Sequence, residues 1–341
     1  MATNSDAINV AVVGFGYWGP NLVRNFMASS KYRVVAICDT SDPRLGRAAS
    51  LYPSVRTTKE LGDLLADPSI DLIACATPVS THFPLGMAVL EAGKHLLLEK
   101  PMAMSTAETD ALLARARERE RRVFVDHTFV FTPAVQKMKE LLRSGALGRP
   151  LYYDSTRINL GLFQHDVDVL WDLLPHDLSI LDYLRDGELP QWISCQGATH
   201  YSKLADQAYV TLAYADGFIA HVHANWIAPV KIRQVLLCGD AKMLVYDENT
   251  VAEKLRVYDR GVEVTSEEDV YQRLVQYREG DMLAPRLDNY EALAVELGNV
   301  ADSLRGGDAP VVDGETGHRV VKLLEAASDS LRDRGRPVWV S

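Results

Sequence analysis

The stretch Ile8-Asn9-Val10-Ala11-Val12-Val13-Gly14-Phe15-Gly16-Tyr17-Trp18-Gly19-Pro20-Asn21-Leu22 sets an apolar, β-branched run against three glycines and then a helical pattern. It reads as strand, tight turn and helix. In such a G-x-G-x-x-G turn Gly14 makes the bend, Gly16 leaves room for a pyrophosphate against the backbone, and Gly19 lets the helix pack close to the strand. The phosphate then meets a helix N-terminus, where unsatisfied N–H groups and the macrodipole favour negative charge. A second apolar run, Tyr32 to Cys38, ends in Asp39. This lies about 20 residues after Gly19, where a carboxylate accepts hydrogen bonds from an adenosine ribose. An ordinary strand-to-helix turn with Asp39 as a cap is the bland alternative; both signals together point to a nucleotide. Asp39 favours NAD, because the 2′-phosphate of NADP would bring a second anion against it. Thr40, Ser41 and Arg44 could meet that phosphate, so NADP stays possible.

At 341 residues the chain is long enough for two domains, each with its own core. A hydrophobic fraction of 47% and a charged fraction of 24% are those of an ordinary globular protein. The net charge of -10, with no basic cluster, argues against nucleic acid or an anionic membrane as partner. No apolar run reaches membrane-spanning length, and Met1 to Asp6 lack the makings of a secretory signal, so a cytoplasmic protein is expected. Cys38, Cys75, Cys195 and Cys238 are far apart, without C-x-x-C spacing, and read as buried free thiols. His221 and His223 share a strand face but lack a third ligand, so no metal is expected.

Working outward, strand and helix patterns alternate from Ile8 to Asp126, as in a doubly wound parallel sheet, which is read as a dinucleotide-binding domain over 1–126. One of its strands, His95 to Glu99, runs into Lys100-Pro101. Proline cannot extend the ladder, so Lys100 should project at the carboxyl end of a strand, where open α/β sheets bind ligands. From 127 to 341 the alternating runs predict an α+β domain with a large, mostly antiparallel open sheet, which would serve substrate binding and oligomerisation. Within it, Pro175 is best tolerated in a first helical turn, so Asp172 and His176 should straddle a helix start near Pro175. The dipole there would keep His176 neutral, as a base requires; a capping Asp172 and a surface His176 are the plain alternative. His223, Asn225 and Trp226 could face substrate, Lys231 and Arg233 could meet a diphosphate, and Phe163, Gln164 and His165 fall in a loop.

Taken with Glu99-Lys100-Pro101 and Trp171-Asp172-Leu173-Leu174-Pro175-His176-Asp177, the glycine turn makes the chain resemble the Gfo/Idh/MocA family of oxidoreductases over nearly its full length. The resemblance implies that Lys100 polarises the reacting oxygen, that His176 is general base or acid, and that Asp172 orients substrate. It implies cofactor contacts from Gly14, Gly16, Tyr17, Trp18, Gly19, Asp39, Thr40, Thr77, Pro78, His82, Glu99 and Lys100. Substrate contacts are expected from Lys100, Asn159, Asp172, His176, His223, Lys231 and Arg233. Gly16 to Leu22, Thr77 to His82, Asn159-Leu160-Gly161 and Trp171 to Asp177 look like the nucleotide-sugar branch, whose members act at carbon 3 of a UDP-N-acetylhexosamine, its uronate or a deoxysugar.

The expected activity is therefore NAD(P)-dependent hydride transfer on a nucleotide sugar. A dehydrogenase for inositol, a free sugar or a sugar phosphate is the rival enzyme. A cofactor-sensing regulator without turnover is the rival of another class. Apolar groups such as Val210, Leu212 and Leu236 are expected on the open face of the second-domain sheet, which predicts a homodimer or homotetramer.

Overall fold

The computed structural model describes residues 7–161, 166–263, 276–307 and 309–340, so the loop reading for Phe163, Gln164 and His165 lies outside the described residues. The chain divides by packing into two compact units, residues 1–131 with 290–322 and residues 132–289 with 323–341. A single boundary after Asp126 is thus replaced by a chain that returns to its first unit.

The first unit is built on six parallel strands: β1 (Ile8–Val13), β2 (Tyr32–Cys38), β3 (Arg56–Thr58), β4 (Leu72–Cys75), β5 (His95–Glu99) and β6 (Val123–Asp126). Their order β3-β2-β1-β4-β5-β6 reverses direction between β1 and β4, the crevice where such sheets bind ligands. The central strands β1 and β4 are apolar on both sides because the helices α1 (Gly19–Ala28), α2 (Asp42–Leu51), α3 (Leu61–Leu65), α4 (His82–Glu91) and α5 (Thr106–Glu118) complete the crossovers, whereas the edge strand β3 is polar. After them, α6 (Pro133–Arg143) opens the second unit.

The larger sheet of the second unit contains β7 (Pro150–Leu160), which is followed by α7 (Val169–Leu184), then β8 (Trp192–Ala198), β9 (Gln207–Ala213), β10 (Ile219–Asn225), β11 (Ile227–Gly239), β12 (Met243–Asp247) and β13 (Leu255–Tyr258). Among the described residues the strands β14 (Gly261–Glu263) and β15 (Gln276–Arg278) pair with each other; β16 (Met282–Leu283) adds to β13. The helices α8 (Ala292–Leu304) and α9 (Gly314–Arg332) and a last strand β17 (Val338–Trp339) complete the chain. The order is β16-β13-β12-β11-β7-β10-β9-β8-β17, antiparallel except where β7 meets β10.

Two local rules explain where the helices end up. Leu293, Leu297, Val300 and Ala301 of α8 join Val10, Val12, Leu22 and Phe26 in one buried cluster, which brings 290–322 back to the first unit. The helix α7 begins at Val169, not near Pro175, because Asp168 caps it by accepting from the Leu170 and Trp171 N–H groups at 3.0 and 3.2 Å. Pro175 sits inside the helix and removes the N–H that would have met the Trp171 carbonyl. His176 is therefore well past the first turn, and the dipole argument for its neutrality falls away.

The alternation along β9 and β10 runs opposite to expectation. Val210 and Leu212 are fully buried on the face that packs against α7, whereas Tyr209 and Ile219 point to the other face. Leu236 does lie on the open face, opposite Val245 and Asp154.

Candidate functional site

The glycine turn has the geometry its spacing predicts. Gly14 holds φ +92, and a Cβ there would stand 2.4 Å from the Ala76 carbonyl oxygen. A Cβ on Gly19 would stand 2.0 Å from the Gly14 oxygen, so only glycine lets α1 pack this closely on β1. Above Gly16 the space is open except for the Arg44 guanidinium, 3.8 Å from where a Cβ would be. No side chain caps α1, whose first turn carries Pro20. An open glycine shelf, an uncapped helix N-terminus and a nearby cation fit the diphosphate of a dinucleotide.

Asp39 is buried and already engaged. Its Oδ2 accepts from the Phe15 N–H at 2.7 Å and its Oδ1 from the Ser41 N–H at 2.9 Å, and Arg44 lies 3.6 Å away. The carboxylate thus ties the end of β2 to the glycine turn, a bracing role in addition to the ribose contact its position predicts. Thr40 is exposed beside it, and Tyr17 at the crest of the turn is 90% exposed.

Trp18 turns inward instead. Its indole donates to Asp126 Oδ2 at 2.6 Å, at the end of β6. Asp126 also takes the Thr128 hydroxyl, and Glu296 of α8 accepts from the His127 N–H at 3.1 Å. Burial, and then the nearby charge of Asp126, push Glu296 well above the usual carboxylate range. Burial, aided by the Lys100 charge, pushes His127 down to about 3, and neither of its ring nitrogens has a partner among the described residues. Nothing in the local sequence announces this group, because Trp18, Asp126 and Glu296 meet only through the fold.

Glu296 carries a pH signature. It stays uncharged in the folded chain where an unfolded chain ionises it, so its contribution is complete below its ordinary value and is lost as pH rises. Glu296→Gln keeps an acceptor for the His127 N–H and removes the titrating group. Thermal melts should show the variant a few degrees more stable than the parent at about pH 8, with the gain vanishing near about pH 4; equal gains at both values would reject a neutral Glu296.

Glu99 and Lys100 stand where predicted, at the end of β5, with Glu99 Oε2 accepting from the Lys100 N–H at 2.8 Å. Thr77 and Pro78 form the turn after β4, and the Thr77 hydroxyl meets that of Thr81 at 2.7 Å. His82 is fully enclosed, between the carbonyls of Thr77 and Pro101, so its ring supports those turns and offers no surface to a cofactor.

In the second unit, Asp172 and His176 are one helical turn apart on α7 and share a face. Trp226, buried, donates its indole N–H to Asp172 Oδ2 at 3.0 Å, and Gly161 leaves the space that the indole fills. Trp226 is therefore a support for Asp172. The next residue on the helix, Asp177, is locked to β7: it accepts from Arg157 Nε at 2.6 Å and from the Ser155 hydroxyl at 2.6 Å, all three buried.

Other expectations fare differently. His223 and Asn225 project from the sheet face opposite α7, where His223 stacks on Tyr209 with ring centroids 4.3 Å apart, so the fold does not bring them to Asp172 and His176. Arg233 lies in register with Arg157 and is paired to Glu248 at 3.0 Å, which weakens its claim on a diphosphate. Lys231 is exposed where β11 shifts register opposite Asn159 and Leu160. Among the described residues no group of His, Cys, Asp and Glu could hold a metal ion, and no helix is long and apolar enough to cross a membrane.

Comparison with known proteins agrees with this architecture. The model of an oxidoreductase family with an NAD-binding Rossmann fold matches residues 8–127, and that of the Gfo/Idh/MocA C-terminal domain matches 135–245. The UDP-N-acetylglucosamine 3-dehydrogenase of Acidithiobacillus ferrooxidans is 28% identical over 308 residues, covering 88% of this chain and 93% of that protein. The myo-inositol 2-dehydrogenase of Thermotoga maritima is 23% identical over 96% of this chain and 97% of its own length. The crystal structure of GenD2 from gentamicin A biosynthesis, in complex with NAD, superposes with a TM-score of 0.83 at 22% identity, covering 100% of this chain and 98% of that one. The chain belongs to the Gfo/Idh/MocA oxidoreductase family, and its N-terminal domain is an NAD-binding Rossmann fold.

Proposed function

We propose that this oxidoreductase transfers hydride between NAD and carbon 3 of a nucleotide-linked sugar, such as a UDP-N-acetylhexosamine, its uronate or a deoxysugar. The observation that carries the reading is the match to a UDP-N-acetylglucosamine 3-dehydrogenase over 93% of that protein. When bound, NAD supplies the site that takes up or gives the hydride. The glycine turn, Arg44 and the α1 N-terminus would hold its diphosphate. Opening a secondary carbinol requires its hydroxyl proton to leave as the C–H bond breaks, so a base within hydrogen-bond reach is needed. In this reading His176 takes that proton, the Lys100 ammonium stabilises the developing alkoxide, and Asp172, steadied by Trp226, orients the sugar. A dehydrogenase for inositol is the second reading, supported by the myo-inositol 2-dehydrogenase match. Incubation with NAD and a panel of nucleotide sugars, inositols and sugar phosphates, followed by nicotinamide absorbance, separates the two. Turnover confined to inositols would reject the nucleotide-sugar reading, and cofactor binding without turnover on any member would point to a sensor.

NAD should be preferred over NADP by about tenfold, or about 1.4 kcal/mol. The Asp39 carboxylate repels a 2′-phosphate, and Arg44, half exposed, offsets only part of that repulsion. Asp39→Ser should narrow the preference and, by releasing the Phe15 N–H, weaken NAD itself. Equal binding of both cofactors by the parent chain would show that Arg44 outweighs Asp39.

The chain acts in this reading as a homodimer or homotetramer in the cytoplasm, where its four free cysteines stay reduced. Tyr152, beside Ile219 and Cys238 in register, and Tyr209 form an open sheet face that a second copy would cover. A monomer by light scattering at micromolar concentration would count against this.

A further inference from the structure

One buried side chain ties together two turns at the carboxyl edge of the parallel sheet. His82, at the start of α4, is 0% exposed; its Nε2 stands 2.9 Å from the Thr77 carbonyl oxygen and its Nδ1 2.9 Å from that of Pro101. Thr77 follows β4, and Pro101 follows Lys100 at the end of β5. Both partners are carbonyls, so both bonds form together only on a doubly protonated ring. Burial first, and the Lys100 charge among the other causes, hold His82 below its ordinary range, although the carbonyls of Pro101 and Thr77 and the Met102 backbone pull the other way. A neutral ring has one N–H to give.

The two turns do not need it equally. The turn after β4 has other ties: the Ala76 N–H to the Val13 carbonyl at 2.8 Å, the Thr81 N–H to the Pro78 carbonyl at 2.9 Å, and the Thr81 hydroxyl to that same carbonyl at 2.7 Å. The segment after β5 leaves its ladder at Glu99, which pairs with Asp126; the Lys100 N–H is met by the Glu99 side chain at 2.8 Å, but Pro101 beyond it has no N–H to donate. We propose that His82 is a positioning residue for Lys100: its Nδ1–H bond to the Pro101 carbonyl fixes the backbone from which the lysine projects. The inference rests on the reading of Lys100 as the group that polarises the reacting oxygen. A misplacement of about 1 Å at such a group is enough to cost up to about 10²-fold in rate.

The test uses side-chain amides that imitate one ring nitrogen each. In His82→Asn the amide nitrogen occupies the place of Nδ1 and keeps the Pro101 bond; in His82→Gln it reaches the place of Nε2 and keeps the Thr77 bond. On the nucleotide sugar best turned over, H82N should retain at least about ten times the kcat of H82Q, while their affinities for NADH, by fluorescence titration, stay within about threefold of each other. Acetylation of Lys100, followed by mass spectrometry across pH, gives a readout without turnover: H82N should keep the parent midpoint and H82Q should shift it. Equal kcat and equal acetylation profiles for the two variants would overturn the proposal, as would NADH affinity falling in step with kcat. Lys100→Ala run alongside separates the failures, since parental turnover in that variant would reject the role of Lys100 itself.

Discussion

Lys100→Ala is expected to lower turnover by about 10²-fold or more, with NAD affinity little changed. The lysine lies past the end of β5 and is no part of the glycine turn proposed to hold the diphosphate, so its removal should leave those contacts in place. In the proposed mechanism what is lost is a cation beside an oxygen that gains negative charge only as the C–H bond breaks, so kcat and not binding should carry the effect. His176→Ala should fall by a comparable factor for a different reason, the loss of the proton acceptor. Single-turnover absorbance changes and NADH titration on both variants check the split. Near-parental kcat in either would remove that residue from the mechanism.

The second large effect is on stability. Asp177→Ala should destabilise the second unit by about 3–5 kcal/mol, because it leaves the Arg157 guanidinium buried without its principal partner. Arg157 is 4% exposed and Asp177 0%, so water cannot replace what is removed, and Glu248, 3.8 Å from Arg157, is too distant to compensate fully. The loss should also reach the site, since this pair holds α7 against β7 next to His176. Denaturant unfolding followed by circular dichroism measures it. A change below about 1 kcal/mol would mean the pair contributes no more than an exposed one.

The parts of this molecule written in local sequence were legible. Gly14, Gly16 and Gly19 follow an apolar strand, and each does in the fold what its spacing requires. Asp39 closes β2, and Lys100 ends β5 because Pro101 stops the ladder. Pro175 suggests a helix start at its own position, but the start of α7 is set by Asp168, whose carboxylate makes the cap seven residues earlier. Alternation along β9 and β10 correctly groups Val210 with Leu212 and His221 with His223, yet it cannot say which group faces the helices. Only the packing of α7 decides that, and it placed the apolar pair inside.

The remainder was illegible for reasons of distance. Trp18, Asp126 and Glu296 are far apart in sequence and meet because α8 returns to the first unit. The same holds for Trp226 and Asp172, which come from a strand end and a helix 54 residues apart. The resemblance implies a cofactor contact for His82; its enclosure between two carbonyls becomes visible only when β4 and β5 are set side by side.

The central claim, hydride exchange at carbon 3 of a nucleotide sugar, is tested most directly by isotope transfer. The nucleotide sugar turned over fastest would carry deuterium at carbon 3 and be incubated with the protein and NAD. The account predicts deuterium in the reduced nicotinamide and a ketone at carbon 3 of the sugar. Deuterium retained at carbon 3 while NAD is reduced would contradict it.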